Sequence, residues 1–317
     1  MSADFAPIAA GPDDPDHEAA LAHGRGGADL EYEISRRPGP VRRAVDVWRY
    51  RELLGNLIRK ELKVKYKNSV LGFVWSLLNP ALYLVVFYLV FQIILGAGIP
   101  YFAIFFLAGL LPWNLFSTAL GAGTASIVGN PGLVGKVWFP REILPLASIG
   151  AALVHFGLQL LVLAAALVVF RYAPSPEFLI LLIPAMITLL VLLAALAVAL
   201  SAVNVYLRDT QHLLELVLLA WFWGTPIVYE YQKLGGRIGS LALLNPLTPI
   251  VITFQRAIYN QPTFRDAATN ALVVLFPDAS MWWYLRNLGL VFAASALLLL
   301  GALWLFGRIE DNIAEAI

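Results

Sequence analysis

The chain has 317 residues, of which 60% are hydrophobic and 14% are charged. Soluble domains carry about 25% charged residues, and a soluble fold could not bury so much apolar side chain. The sequence contains no cysteine and only four histidines, scattered along the chain, which excludes disulfides and thiolate metal sites and leaves no basis for a histidine metal cluster. We therefore predict an integral membrane protein without a metal site.

Residues 1–40 differ in composition from the rest of the chain. They are rich in Ala, Gly, Asp and Pro and contain no apolar run of signal-peptide length. Segments of this kind cannot bury enough apolar surface to fold. We predict a disordered cytoplasmic tail that does not carry the activity.

Residues 41–67 combine apolar side chains at helical spacing, such as Leu57 and Ile58, with many cations. This pattern predicts an amphipathic helix in the membrane interface, with a basic face that suits anionic lipid rather than nucleic acid. Eleven basic residues lie between Arg36 and Lys67, so the positive-inside rule places this end in the cytoplasm. The helix either anchors the orientation of the chain or docks a partner and gates a cavity, and the two roles are compatible.

The longest uncharged stretch runs from Asn68 to Gly135, 68 residues without Asp, Glu, Lys or Arg. A bilayer core about 30 Å thick is crossed by roughly 20 apolar helical residues, so this stretch accommodates two crossings. The turn between them is Gly96 to Pro100, because glycine frees the backbone and proline cannot continue a helix. We predict these spans at about 71–95 and 102–127.

Later uncharged runs predict four more crossings, at residues 143–170, 178–207, 211–228 and 287–307. Between the last two, apolar segments at 238–255 and 271–276 are broken or too short to span, which favours re-entrant helices on the outer side. The predicted fold class is all-α integral membrane. It has six transmembrane helices over residues 68–317, re-entrant extracellular helices between spans five and six, and both termini in the cytoplasm.

The distribution of cations only partly supports this topology. The outer segments carry Arg171, Lys233, Arg237, Arg256, Arg265 and Arg286. Because the positive-inside rule weakens for long outer loops, we expect the amino-terminal cluster of basic residues to dominate the orientation.

The inner segment Asn130 to Glu142 follows the first two spans. Within it, Gly129 to Lys136 looks like a phosphate-binding loop. However, the two glycines are one residue further apart than that loop requires, and Val137 replaces the necessary Ser or Thr. We predict no nucleotide site in this chain.

Aromatic side chains recur in the predicted spans. The candidates for lining a passage are Trp75, Tyr83, Phe87, Trp113, Phe116, Trp221 and Trp223. In the first span they recur at multiples of four residues, which keeps them on one helix face. The alternatives are interfacial anchoring, favoured for Trp113, and lipid-facing or core packing. An aromatic passage would suit a glycan, because sugar rings stack their C–H faces on aromatic rings.

Few ionisable side chains lie inside the predicted spans. Glu215 is expected near the cytoplasmic boundary in an interfacial hydrogen bond or ion pair, and His155 between helices. Proton-coupled carriers need intramembrane carboxylates or histidines, so we expect the energy for transport to come from another subunit.

Two motifs resemble a known family. Lys60 to Pro80 looks like the opening signature of ABC-2-type polysaccharide exporter permeases. Gly109 to Trp113, followed by Val137 to Pro145, resembles their second signature. The resemblance extends from about Trp48 to the carboxyl terminus.

The resemblance implies a permease without catalytic residues or cofactor of its own, in the bacterial plasma membrane. It would form a homodimer with two copies of an ATP-binding subunit, which would hold ATP and Mg, and would export a polyprenyl-diphosphate-linked polysaccharide, galactan or O-antigen-like. The ATPase-coupling segment would contain Asn130, Lys136, Phe139, Pro140, Arg141 and Glu142. The gate helix would span about 47–66, and its head-group residues would be Arg59, Lys60, Lys63 and Lys65.

Three other interpretations remain. A drug- or lipid-exporting permease of the same superfamily would share the architecture. A membrane-embedded glycosyltransferase would need a carboxylate-rich cytoplasmic loop, and the inner loops are short with few acids. A channel or secondary carrier acting alone would need charged pore residues.

Overall fold

The computed structural model describes residues 47–67, 72, 74–136, 139–174, 176–231, 241–265 and 270–316, with the side chains of the last helix described as far as Arg308. The predicted tail, the beginning of the predicted interface segment at 41–46, and Val137 and Trp138 of the second signature lie outside the described residues.

The described residues are mainly helical. In chain order the elements are α1 (Arg51–Tyr66), α2 (Val74–Tyr88, continued by a π-helix at Leu89–Ile94), α3 (Phe102–Ala125), α4 (Pro131–Val134), α5 (Ile143–Val169), α6 (Pro176–Leu179), α7 (Leu182–Tyr206), α8 (Thr210–Trp223), α9 (Leu247–Ile258), β1 (Thr263–Arg265), β2 (Leu272–Val274) and α10 (Met281–Ala316).

Within this described part, five helices are long and apolar enough to cross a membrane. They cover Val74–Ile94, Phe102–Ala125, Ile143–Val169, Pro176–Tyr206 and Met281–Arg308. Their positions agree with five of the six predicted crossings. The turn after the first span was also predicted correctly, since Gly96 and Gly98 have positive φ angles of 62° and 63°.

The predicted fifth crossing is shorter than expected. Helix α8 has 14 residues, about 21 Å at 1.5 Å per residue, which is less than a bilayer core. The helix stops before Gly224 and Pro226, and the apolar Ile227 and Val228 that lengthened the prediction are fully buried in the protein. Six full-length crossings are therefore not confirmed, because the apolar residues after α8 pack inside the fold.

The region between α8 and α10 was predicted only in part. Helix α9 is buried along all 12 residues and is too short to span, as expected for its broken apolar segment. The second predicted helix, at 271–276, is wrong: Leu272–Val274 forms a strand paired antiparallel with Thr263–Arg265. Its valines favour extended backbone, and only a few residues separate the turn at Asn270 from Pro277. In the part of the chain that the structure describes, this pair of short strands is the one departure from helical secondary structure.

Helix α3 is the centre of the fold. In its most apolar stretch 83% of the residues are buried, compared with 6% in the first span. It packs against α5, α7 and α9, while α10 packs mainly against α7. A helix that is apolar on all sides belongs in the interior of a protein, and the first span is left on the periphery.

The interface helix α1 packs against α5 on the cytoplasmic side of the predicted topology. Leu57 is buried in a second core cluster together with Val134, Phe139 and Phe306. Ile58 lies over Gly150, where an added Cβ would be 2.4 Å from the Ile58 Cδ1 atom. The absence of a side chain at Gly150 therefore permits α1 to dock.

We predict that Gly150→Val loosens α1, because overpacking a close contact costs about 1–3 kcal/mol. The thermal midpoint in detergent should fall, and Leu57→Cys in this cysteine-free chain should react faster with a maleimide. Gly157→Val on the same helix is the matched control, since nothing lies within 4 Å of a Cβ there. Equal effects of the two substitutions would contradict the proposed docking contact.

Candidate functional site

The predicted gate helix and coupling segment are joined by a hydrogen bond. Lys60 Nζ, on α1, donates to Asn130 Oδ1. Asn130 precedes Pro131, the first residue of the short helix α4, and its Nδ2 donates to the Ser126 carbonyl oxygen at 2.8 Å. The bond links α1 to the residue that precedes α4.

The residues predicted to couple to an ATPase differ in exposure. Lys136 is exposed, whereas Asn130, Pro140 and Arg141 are partly buried. Phe139 and Glu142 are buried, Phe139 within the core cluster around Leu57, and they are therefore unavailable to a partner. The predicted role in coupling had required these two side chains to be accessible.

The exposed part of the segment lies further towards its beginning. It comprises Pro131, Gly132, Gly135 and Lys136. We call these four residues the coupling surface.

The four cations predicted to hold a lipid head group are all exposed on α1. Arg59 and Lys63 make no hydrogen bond or ion pair with any described residue, and Lys60 bonds to Asn130. Lys65 lines two adjoining cavities of about 240 and 420 Å³. Partial burial there lowers the pKa of Lys65 below its ordinary value.

A polar contact fixes the end of α1 between two spans. The Tyr66 hydroxyl lies 2.8 Å from Ser76 Oγ on α2 and 2.6 Å from His155 Nδ1 on α5. Ser76 Oγ and His155 Nδ1 are 3.1 Å apart. His155 thus contacts neighbouring helices, as expected, and lines the same two cavities as Lys65.

A larger cavity of about 500 Å³ lies between α2, α3 and α8. Asn79 lines both this cavity and the 420 Å³ cavity, and Thr118 lines all three. The three cavities therefore adjoin one another along α3, and we call them together the groove. The groove leads from Lys65 on the interface helix to the aromatic side chains of α2 and α8.

Most of the predicted passage aromatics lie in the groove. Tyr83, Phe87, Trp113 and Trp223 line the 500 Å³ cavity, and Trp75 lines the 420 Å³ cavity.

Phe116 and Trp221 do not line the groove, which corrects two of the predicted sites. Phe116 is fully buried, with its ring centroid 5.2 Å from that of Trp221. Trp221 Nε1 donates to Asn245 Oδ1 at 2.8 Å, which connects α8 to the start of α9. Phe116 faces the core because α3 is buried on nearly all sides, and Trp221 packs against it from α8.

Sequence reasoning missed several groove residues. Phe222 lines the large cavity with its ring centroid 5.5 Å from that of Trp113. On α3 the polar residues Asn114, Ser117 and Thr118 also face the groove. Their spacing of three and four residues in an uncharged span is the pattern that would have identified them.

Glu215 also lines the large cavity. Glu215 makes neither the expected hydrogen bond nor the expected ion pair with a described residue, and the other residues that line the cavity are uncharged. The Glu215 carboxylate is exposed to the groove.

Several helices long and apolar enough to cross a membrane, together with a groove lined by polar and aromatic side chains, fit a membrane transport protein. The sequence matches the family model for the ABC-2 type transporter over residues 52–259, which include the groove and the coupling surface. The chain therefore belongs to the ABC-2 type transporter family.

Three similar proteins have names that refer to polysaccharide. The O-antigen export system permease protein RfbA of Myxococcus xanthus is 35% identical over 254 residues, which cover 76% of this chain and 95% of that protein. RfbA of Klebsiella pneumoniae is 28% identical over 209 residues, 66% of this chain and 81% of that protein. The polysialic acid transport protein KpsM of Escherichia coli is 22% identical over 209 residues, 64% of this chain and 79% of that protein.

We predict that Phe139→Ala destabilises the protein, because truncating a buried Phe costs about 3–5 kcal/mol. Lys136→Ala, on the exposed surface, should change the stability by no more than about 0.5 kcal/mol. The stabilities of the two variants are compared by measuring their thermal midpoints after purification in detergent. Equal midpoints would contradict the burial of Phe139.

Proposed function

We propose that the chain is the permease subunit of an ATP-driven exporter in the bacterial plasma membrane. It moves a polyprenyl-diphosphate-linked polysaccharide, O-antigen-like or a galactan, from the cytoplasmic to the outer side. The observation that carries this proposal is the groove, which begins at a cation of the interface helix and continues along a polar and aromatic wall. The names of the RfbA relatives support a polysaccharide as the cargo.

The lipid head group binds at the interface helix in this proposal. Arg59, Lys63 and Lys65 are exposed, and Lys65 lines the inner cavities of the groove. A diphosphate offers several anionic acceptor oxygens, which ammonium and guanidinium groups bind through charge-assisted hydrogen bonds. Binding here leaves the first sugars of the polymer beside Trp75 and Asn79.

The glycan then follows the aromatic part of the groove. Tyr83, Trp113 and Trp223 supply ring faces for the C–H faces of sugars, and Asn114 and Ser117 supply hydrogen-bonding groups. A long polymer slides past such contacts because each contact is weak and the next one is equivalent. The groove is open on one side, so a second copy of the chain would complete the passage.

Energy enters through the coupling surface. A homodimer with two ATP-binding subunits would hold ATP and Mg outside this chain, and closure of those subunits would push on Lys136 and its neighbours. The Lys60–Asn130 hydrogen bond would pass this movement to α1. Both termini in the cytoplasm require an even number of crossings, and α8 with the buried residues after it would supply the sixth.

To test this proposal, tagged protein is purified from its native membrane in mild detergent. We expect an ATP-binding subunit and ATPase activity to copurify, and Lys136→Glu to reduce both without lowering the thermal midpoint. Arg171→Glu, an exposed residue in the predicted outer turn, is the control for reversed charge and should change neither. A permease that purifies alone, without ATPase activity, would contradict the proposal.

Depletion of the protein tests the cargo. We expect lipid-linked polysaccharide to accumulate inside depleted cells. Increased sensitivity to drugs or an altered lipid composition, without accumulated polymer, would instead support the drug- or lipid-efflux alternative.

We predict that Lys63→Gln combined with Lys65→Gln weakens binding of polyprenyl diphosphate. Each cation contributes about 1 kcal/mol near an anionic surface, so the pair should reduce the affinity roughly thirtyfold. Flotation of the purified protein with vesicles that contain this lipid measures the effect. Arg51→Gln, also exposed on α1 but far from the groove end, is the control and should bind normally. Unchanged binding by the double variant would exclude the head-group role.

A further inference from the structure

We propose that Glu215 determines the charge of the exported polymer by excluding acidic sugars from the groove. This inference rests on the proposed function and names the class of glycan that passes, one without carboxylate sugars. Among the described residues that line the 500 Å³ cavity, Glu215 alone is charged. No described cation forms an ion pair with it, so its charge is not neutralised within the described part of the chain.

The surroundings of Glu215 suit uncharged sugars. Its carboxylate accepts hydrogen bonds from hydroxyl groups, and Asn79, an amide side chain that lines the same cavity, can donate to a hydroxyl or ring oxygen. Trp113 and Trp223 provide ring faces in the same cavity. A neutral pyranose therefore finds acceptors, a donor and apolar contact within one site.

An acidic sugar meets repulsion in the same place. Between apolar walls the effective dielectric constant is well below that of water, and two carboxylates about 7 Å apart at an effective dielectric near 20 repel strongly enough to reduce binding by about tenfold or more. A polymer with a hexuronate or sialate in each repeating unit would meet this repulsion once per unit. The lipid diphosphate occurs only once in each polymer, and cations of α1 are available to it.

Lys65 shows that the groove is not acidic throughout. It lines the two inner cavities, with Glu61 in the smaller one, while Glu215 lines only the large cavity. The groove thus has a cation where the head group would bind and a carboxylate where the repeating units would pass. The glycan-binding section is the part that discriminates by charge.

The test compares hexagalacturonate, whose carboxyl groups are ionised, with its fully methyl-esterified form, in which the same groups are uncharged esters. The full chain is placed in lipid nanodiscs, and saturation-transfer NMR, which detects weak binding, gives the dissociation constants. The variants are Glu215→Gln, Glu215→Lys and, as a carboxylate control outside the large cavity, Glu61→Gln.

We expect the wild type to bind the methyl ester about tenfold more tightly than the carboxylate form. Glu215→Gln should remove this preference and Glu215→Lys should reverse it, whereas Glu61→Gln should keep it.

Equal preference in the wild type and in Glu215→Gln would overturn the inference and leave the proposed function intact. Loss of the preference in Glu61→Gln would overturn it as well, because the preference would then depend on the total charge of the protein and not on the carboxylate in the large cavity. If the wild type binds neither probe, the groove does not bind glycan, and the role proposed for the groove fails together with this inference.

Discussion

Close packing around α3 is the constraint on which the rest of the structure depends. In lipid, apolar helices gain no hydrophobic free energy by associating, so small residues that let backbones approach hold them together. A Cβ added at Gly123 would lie 2.8 Å from the Ala197 Cβ of α7, and one added at Gly109 would lie 2.8 Å from Gln255 Nε2 of α9. With these sides occupied, α3 leaves a polar strip at Asn114, Ser117 and Thr118 to form the wall of the groove.

The interface helix is held by the same kind of close packing. Helix α1 is attached at its middle by Leu57 and Ile58, and at its end by Tyr66, which bonds to two spans. Between these points Lys60 reaches Asn130 at the start of α4. The helix is therefore attached to the spans at its middle and at its end, and it contacts both Asn130 and residues that line the inner part of the groove.

The length of each uncharged run predicted five spans well, because crossing a bilayer depends on length and apolarity alone. The prediction failed where an apolar residue packs inside the protein, as Ile227 and Val228 do after α8. The groove was predictable from the four-residue spacing of Tyr83 and Phe87 on the peripheral first span. The direction in which Phe116 points was not predictable. A helix buried on nearly all sides is rotated to suit its neighbours, and hydropathy does not reveal those neighbours.

Arg256, a cation of the predicted outer region, has structural partners, whereas two cations of α1 have no described partner. Arg256, on the buried helix α9, lies 3.3 Å from Asp278 Oδ1 and 4.2 Å from the centre of the Phe178 ring. A charge removed from water in this way requires partners, and the carboxylate and ring supply them while tying α9 to α6 and to the segment before α10. Arg59 and Lys63, by contrast, are exposed and have no described partner. Arg256 is therefore held inside the fold, whereas Arg59 and Lys63 are accessible from outside it.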